Sequence, residues 1–144
     1  MISTKGRYAL RLMIDIAAYS NGNVVALKDI SRRQGISIKY LEQVVSLLTR
    51  SQLLISIRGN NGGYRLVKDP KDYSVGEILV AAEGTLAPVS CLQTKENTCP
   101  RVANCATLEF WEGFYKVVND YVGGTSLEDL AVKERNRIGN DYSI

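Results

Sequence analysis

Between residues 27 and 67 the chain reads LKDISRRQGISIKYLEQVVSLLTRSQLLISIRGNNGGYRLV, and the order of patterns there leaves few folds open. A short helical segment, 28–34, places Ile30 inward and Arg32 and Arg33 outward. Gly35 then permits the left-handed backbone that a tight interhelical turn requires. Ser37 is placed to accept an orphan amide at the start of a second helix. On that helix Leu41, Val44, Val45 and Leu48 form an apolar stripe, with Lys39, Tyr40, Glu42, Gln43 and Ser46 at or near the other face. Two β-prone runs follow, 53–58 and 64–67, joined by Gly59-Asn60-Asn61-Gly62-Gly63 as a hairpin loop. Helix, turn, helix, hairpin is the order of a winged helix-turn-helix. In that unit the second helix enters a DNA major groove and the hairpin reaches the adjacent backbone or minor groove.

Taken alone, the polar edge of the second helix could be an ordinary solvated face. The glycine-rich stretch behind it decides the matter. A phosphate cradle would need Lys-Ser/Thr after its last glycine, and a dinucleotide fold would need a helix there. Tyr64-Arg65-Leu66 offers neither, so the stretch reads as a wing. Arg58 enters it, Asn60 and Asn61 stand at its tip and Arg65 leaves it, all placed for phosphate or minor-groove contact. The candidate DNA-binding residues are therefore Lys39, Tyr40, Glu42, Gln43, Ser46, Arg58, Asn60, Asn61 and Arg65. Charge follows the same division. Residues 1–70 hold 11 Lys/Arg against 4 Asp/Glu, a net +7, whereas residues 71–144 hold 7 against 11, a net −4. The positive half is the one that would displace counterions from phosphates.

Around this unit the periodicity predicts a mostly α chain with a small β-hairpin. A first helix over 4–20 carries Ala9, Met13, Ile16 and Ala17 on one face and ends at Asn21-Gly22-Asn23. Ser74-Val75-Gly76-Glu77 matches a capping box, and Gly84 closes the helix it starts. Residues 85–104 lack an apolar period and read as a long loop. A long helix over about 107–122 follows, with Leu108, Trp111, Phe114/Tyr115, Val118 and Val122 on one side, stopped by Gly123-Gly124. Thr125-Ser126-Leu127-Glu128 caps a last helix, with Leu127, Leu130 and Ala131 inward. The expected organisation is a DNA-binding domain over 1–84, a cysteine-bearing sensor loop over 85–106, and a dimerisation helix plus C-terminal helix over 107–144. The long helix has more apolar surface than a small winged domain easily covers; a symmetric homodimer is the expected partner for it, since paired half-sites suit DNA, and folding back onto its own wing domain is the other reading.

Cys91, Cys99 and Cys105 are the only cysteines, and the chain contains no histidine. The absence of histidine excludes Cys–His nucleophilic pairs, Ser–His–Asp triads and any intrachain Cys/His zinc site. With no Cys-x-x-Cys pair or nucleotide loop either, an enzyme is not expected. An odd number of clustered thiols fits a disulfide scaffold poorly. It fits metal ligands or redox-reactive groups in a reducing compartment, with buried structural thiols and zinc as further options. There is no apolar run of membrane-spanning length and no secretory pattern in MISTKGRYALR, so the expectation is a cytoplasmic protein without a membrane partner.

Several spaced motifs resemble a known family. Ser3-Thr4-Lys5-Gly6-Arg7-Tyr8-Ala9, Gly35-Ile36-Ser37 with Tyr40-Leu41-Glu42-Gln43, and Arg58-Gly59 leading to Gly62-Gly63-Tyr64 look like the IscR, NsrR and CymR group of bacterial winged-helix regulators, the Rrf-two family. The resemblance covers nearly the whole chain, including Thr125-Ser126-Leu127-Glu128-Asp129-Leu130. It implies a homodimeric transcription regulator, acting as a repressor, with the long helix at the interface and DNA contacts from Lys39, Glu42 and Arg58. Members often bind an iron–sulfur cluster through three cysteines before the dimerisation helix, which implies metal ligation by Cys91, Cys99 and Cys105 to a 2Fe-2S or 4Fe-4S cluster. Two positions depart from the pattern: Leu108 stands where IscR-type proteins place a histidine, and Arg7 where nitric-oxide sensors take a carboxylate. The fourth ligand could then be Glu109, an Asp15 carboxylate supplied by a second copy, a small thiol or water. A regulator of the same fold that responds to thiol redox state or cysteine metabolism, without a cluster, is the alternative.

Overall fold

The computed structural model describes residues 1–141. Among these described residues six α-helices and one hairpin follow each other as α1 (Thr4–Tyr19), α2 (Leu27–Gln34), α3 (Ile38–Arg50), β1 (Leu54–Ile57), β2 (Gly63–Leu66), α4 (Val75–Glu83), α5 (Leu108–Gly124) and α6 (Leu127–Asp141). The last three positions of the expected 107–144 segment lie outside the described residues.

Helix α1 is the centre of the packing. Ala9, Leu12, Met13, Ile16 and Ala17 recur at three- and four-residue intervals and are all buried, so one face of the helix carries the core. Against it lie Ile30 of α2, Leu41, Val44, Val45 and Leu48 of α3, Ile78 and Ala82 of α4, and Leu127 and Ala131 of α6. The last helix thus returns to the same core as the first four, with Leu130 half-buried beside it. The α1 N-terminus is capped twice. Ser3 Oγ accepts from Lys5 N, and Glu83 Oε1 from the end of α4 accepts from Ser3 N at 2.8 Å, Ser3 Oγ at 2.7 Å and Gly6 N at 3.0 Å. A Cβ at Gly6 would stand 2.4 Å from that carboxylate oxygen, so this close approach requires glycine.

The helix-turn-helix forms as the sequence predicts. Gly35 adopts φ 66° between α2 and α3, and Ser37 Oγ accepts from Tyr40 N at 3.2 Å. Arg33 does not point outward as expected. Its guanidinium folds back onto Asp15 of α1, because a buried carboxylate is a stronger partner than water.

The two strands pair antiparallel in the register Leu54 with Leu66 and Ile57 with Gly63. Gly63 therefore belongs to the strand rather than to the loop. Its neighbour Tyr64 exchanges two backbone hydrogen bonds with Val25, each 2.9 Å, and a Cβ at Gly63 would meet the Val25 carbonyl at 2.3 Å. The wing is thereby stitched to the segment before α2. Its base is held by Tyr73, fully buried, whose hydroxyl accepts from Val67 N and donates to the Leu53 carbonyl.

Helix α4 opens with the expected capping box between Ser74 and Glu77. Helix α6 opens with a second one between Ser126 and Asp129, which replaces the expected Thr125-to-Glu128 cap. The long loop contains two short 3-10 turns, Ser90–Leu92 and Val102–Asn104.

Helix α5 departs from expectation in two ways. It runs through Gly123 and Gly124 instead of stopping before them, and it carries two apolar stripes instead of one. Trp111, Tyr115, Val118 and Val122 are half-buried on the side toward α4, where Val122 stands over Gly76. Phe110, Phe114, Val117 and Tyr121 form the second stripe and are 63, 48, 69 and 75% exposed. Phe114 stands at the border of the two stripes: it is 48% exposed, yet its ring meets Trp111 at 5.9 Å and lines, with Trp111 and Val118, a cavity beside Leu86 and Pro88.

Candidate nucleic-acid interface and cysteine segment

Helix α3 presents one polar edge. Lys39, Glu42, Gln43 and Ser46 are exposed and spaced at three, one and three residues, which places them along a single face. Its opposite face is the buried stripe, so core packing dictates which side the helix offers outward. Tyr40 is only half-buried, and its ring meets Tyr8 of α1 edge-on with centroids 5.2 Å apart. Arg58, Asn60, Asn61 and Arg65 are all exposed on the wing. The tip is drawn tight by Gly62 N donating to the Gly59 carbonyl at 3.0 Å, with Gly59 at φ 116°.

Between α3 and the wing runs a cleft of about 390 Å³ lined by Glu42, Val45, Ser46, Thr49, Arg50, Ser56 and Tyr64. The helix and wing are thus the two walls of one cleft, with Arg50 on the helix side, whereas Arg65, next to Tyr64 on β2, lies on the opposite face of the hairpin beside Lys68 and Arg135. Arg50 and Ser56 were not among the candidates read from sequence. Arg50 sits one turn beyond Ser46 on the same edge, and that spacing was the signal available.

The α2–α3 turn is gripped from α1. Asp15, fully buried, accepts from Arg33 Nε at 3.0 Å, Arg33 Nη2 at 2.7 Å and Gln34 Nε2 at 2.9 Å. Arg11 donates through Nε to Gln34 Oε1 at 3.2 Å and through Nη2 to the Gln34 carbonyl. Arg33 lies over the Tyr19 ring at 4.3 Å, and the Tyr19 hydroxyl donates to Glu134 Oε1 of α6 at 3.3 Å. This arrangement corrects the reading of Asp15 as a ligand offered to a second copy. Its oxygens face inward and are already taken.

The three cysteines are free thiols. Cys91 stands in the first 3-10 turn and is half-buried. Cys99 is also half-buried, and its amide donates to Asn97 Oδ1 at 3.0 Å. Cys105 is exposed just before α5, with Sγ 3.5 Å from Thr107 Oγ1. The Thr107 hydroxyl, then the Thr107 amide, the Leu108 amide and the Arg101 charge, hold the Cys105 thiol below its ordinary value. Glu109 is exposed in the first turn of α5, and Arg7 is exposed on α1 with Nη2 bonded to Thr4 Oγ1. In donor type, three thiolates suit an iron–sulfur cluster. In placement they do not form a ligand set within one chain: among the described residues no three Cys, Asp or Glu side chains are grouped closely enough to hold a metal ion.

The family model Rrf2, described as "Iron-dependent Transcriptional regulator", matches residues 2–133. Protein rrf2 of Nitratidesulfovibrio vulgaris is 35% identical over 140 residues, covering 94% of this chain and 92% of that protein. The HTH-type transcriptional regulator IscR of Vibrio parahaemolyticus is 34% identical over 145 residues, covering 96% and 85%. Among solved structures, CymR, the global cysteine regulator of B. subtilis, superposes with a TM-score of 0.76 at 38% identity, covering 92% of this chain and 97% of that one. The IscR and CymR relatives are named as regulators. A helix-turn-helix whose wing faces its second helix, matched over nearly its full length by such proteins, places this chain in the Rrf2 family of transcriptional regulators.

Proposed function

We propose that the chain binds duplex DNA as a homodimer in the cytoplasm and represses transcription from its operator. Helix α3 would enter the major groove through Lys39, Glu42, Gln43 and Ser46, and the wing would follow the backbone through Arg58, Asn60, Asn61 and Arg65. The observation that carries this is the shared cleft, with the exposed polar edge of α3, including Ser46 and Arg50, on one wall and Ser56 and Tyr64 of the wing on the other. The exposed Phe110, Phe114, Val117 and Tyr121 support the dimer. Their four-, three- and four-residue spacing is that of a helix–helix seam, and aromatic side chains this open to water on one face call for a partner. Duplex binding tests the first part. The observed affinity should fall steeply as salt rises, and a flat response would remove the DNA assignment.

The signal enters, in this proposal, through Cys91, Cys99 and Cys105 as ligands of an iron–sulfur cluster of the 2Fe-2S or 4Fe-4S type. The donor chemistry and the IscR relative support it. Thiol chemistry without a cluster is the competing mode, favoured by one observation: Cys105 is exposed and its thiol is held low at the start of α5. Protein purified without air separates the two. Visible absorbance with bound iron supports the cluster, and a colourless, iron-free product after reconstitution leaves the thiol.

A further inference from the structure

We propose that Asp15 is a positioning residue for DNA reading, acting through Arg33 and Gln34 to fix the tilt of α3 at the Gly35 pivot. This rests on the DNA assignment of α3 made above. Asp15 is the one charged side chain among the described residues that is fully buried. Arg33 and Gln34, its partners, are the last two residues of α2 before the turn. Both polar atoms of the Gln34 side chain are held from α1, Nε2 by Asp15 and Oε1 by Arg11, while Arg11 also takes the Gln34 backbone carbonyl. Arg11 lies over the Tyr8 ring at 5.4 Å, and Tyr8 in turn meets Tyr40 in the first turn of α3.

Stability alone gives no reason for this construction. A buried ion pair must offset the desolvation of two charges, and well-packed apolar residues of similar volume often serve the fold as well or better. What the pair supplies is direction. A carboxylate and a guanidinium fork align both groups in one plane, whereas apolar side chains slide past one another. Direction matters at this point because Gly35 offers little resistance to rotation. Ser46 lies eleven residues beyond Gly35, roughly 16 Å along the helix, so a tilt of roughly 10° at the pivot moves it by about 3 Å. That displacement is the length of a hydrogen bond and would break a base contact. The clamp also extends the other way, through Tyr19 to Glu134, so that α6 shares in holding α2.

The test uses the full chain and two variants. Asp15→Val/Arg33→Met replaces the pair by apolar groups, and Arg33→Lys keeps the charge but loses the fork. Three quantities are measured: the unfolding midpoint, the affinity for an operator selected by the wild-type protein from a random duplex pool against that for a random duplex, and amide hydrogen exchange over residues 35–41 in free protein. For the double variant the midpoint should stay at or above wild type. Its operator-to-random ratio should fall roughly tenfold, the effect of one misread base pair, with random-duplex binding and its salt slope unchanged. Exchange over 35–41 should rise. A stable double variant with wild-type ratio and exchange would overturn the proposal. Should that variant fail to fold, Arg33→Lys decides in the same way, with an unchanged ratio and unchanged exchange counting against. If wild-type protein selects no operator at all, the DNA assignment fails, and exchange alone then judges the clamp.

Discussion

Tyr73 donates its hydroxyl proton to the backbone carbonyl of Leu53 at 2.7 Å, twenty residues earlier in the chain. The same oxygen accepts from Val67 N at 2.8 Å and Lys68 N at 3.3 Å, so one buried phenol closes both strands of the wing at their base. Tyr73→Phe keeps the ring and removes the bridge. It is expected to cost about 1–3 kcal/mol, because the Leu53 carbonyl loses its partner in a buried setting. Denaturant unfolding measures the loss. Faster amide exchange in both strands would show that the wing, and not the core, loosens first.

Arg58 leads into the wing tip and is exposed. Arg58→Ala is expected to weaken binding to all duplexes to a similar degree and to lower the slope of log affinity against log salt by about 1.8, one phosphate contact from each protomer of the proposed dimer. A titration at several salt concentrations checks this. An unchanged slope would remove Arg58 from the backbone contacts.

On α5, Val117 is 69% exposed in the middle of the second apolar stripe. Val117→Glu would face its own copy across a two-fold axis, placing like charges in a desolvated seam. The expected penalty is about 2–5 kcal/mol, a dissociation constant raised roughly 30-fold or more. Sedimentation should then show monomer, with helix content unchanged. Val118→Glu, on the stripe facing α4, should instead lower the unfolding midpoint.

Cys105 is expected to be alkylated fastest of the three thiols near neutral pH. It is the exposed one of the three, and its depressed thiol value raises its thiolate fraction at any pH below the ordinary cysteine range. Thr107→Val removes the leading cause of that depression, so the midpoint of rate against pH should move upward and the rate at neutral pH should fall. Mass spectrometry of peptides after timed iodoacetamide exposure gives the order of reaction. Faster modification of Cys91 or Cys99 would contradict it.

Much of the fold is local, and local features are legible in a sequence. Gly35 and Ser37 announce the turn between α2 and α3, and Ser74 with Glu77 announces a helix start, because the groups involved lie within a few residues of each other. The buried stripe of α3 follows from its period, and with it the exposure of Lys39, Glu42, Gln43 and Ser46. The misjudged features are those set by distant partners. Period alone could not say which of two apolar stripes on α5 packs against α4. Nothing near Arg33 showed that it would turn inward, since Asp15 lies eighteen residues away. Nor did Tyr73 advertise its role, which depends on strands brought to it by the rest of the chain.

The order of elements, the charge division and the outward edge of α3 were therefore determined by the sequence itself, because hydrogen bonds between near neighbours and the periods of helix and strand suffice to specify them. Tertiary structure alone decided where Asp15 finds its partners, which face of α5 stays open and that Cys91, Cys99 and Cys105 are not gathered into one three-ligand group within the chain. Each of these depends on which surfaces meet once the core closes, and that is a property of packing between segments that no local pattern encodes.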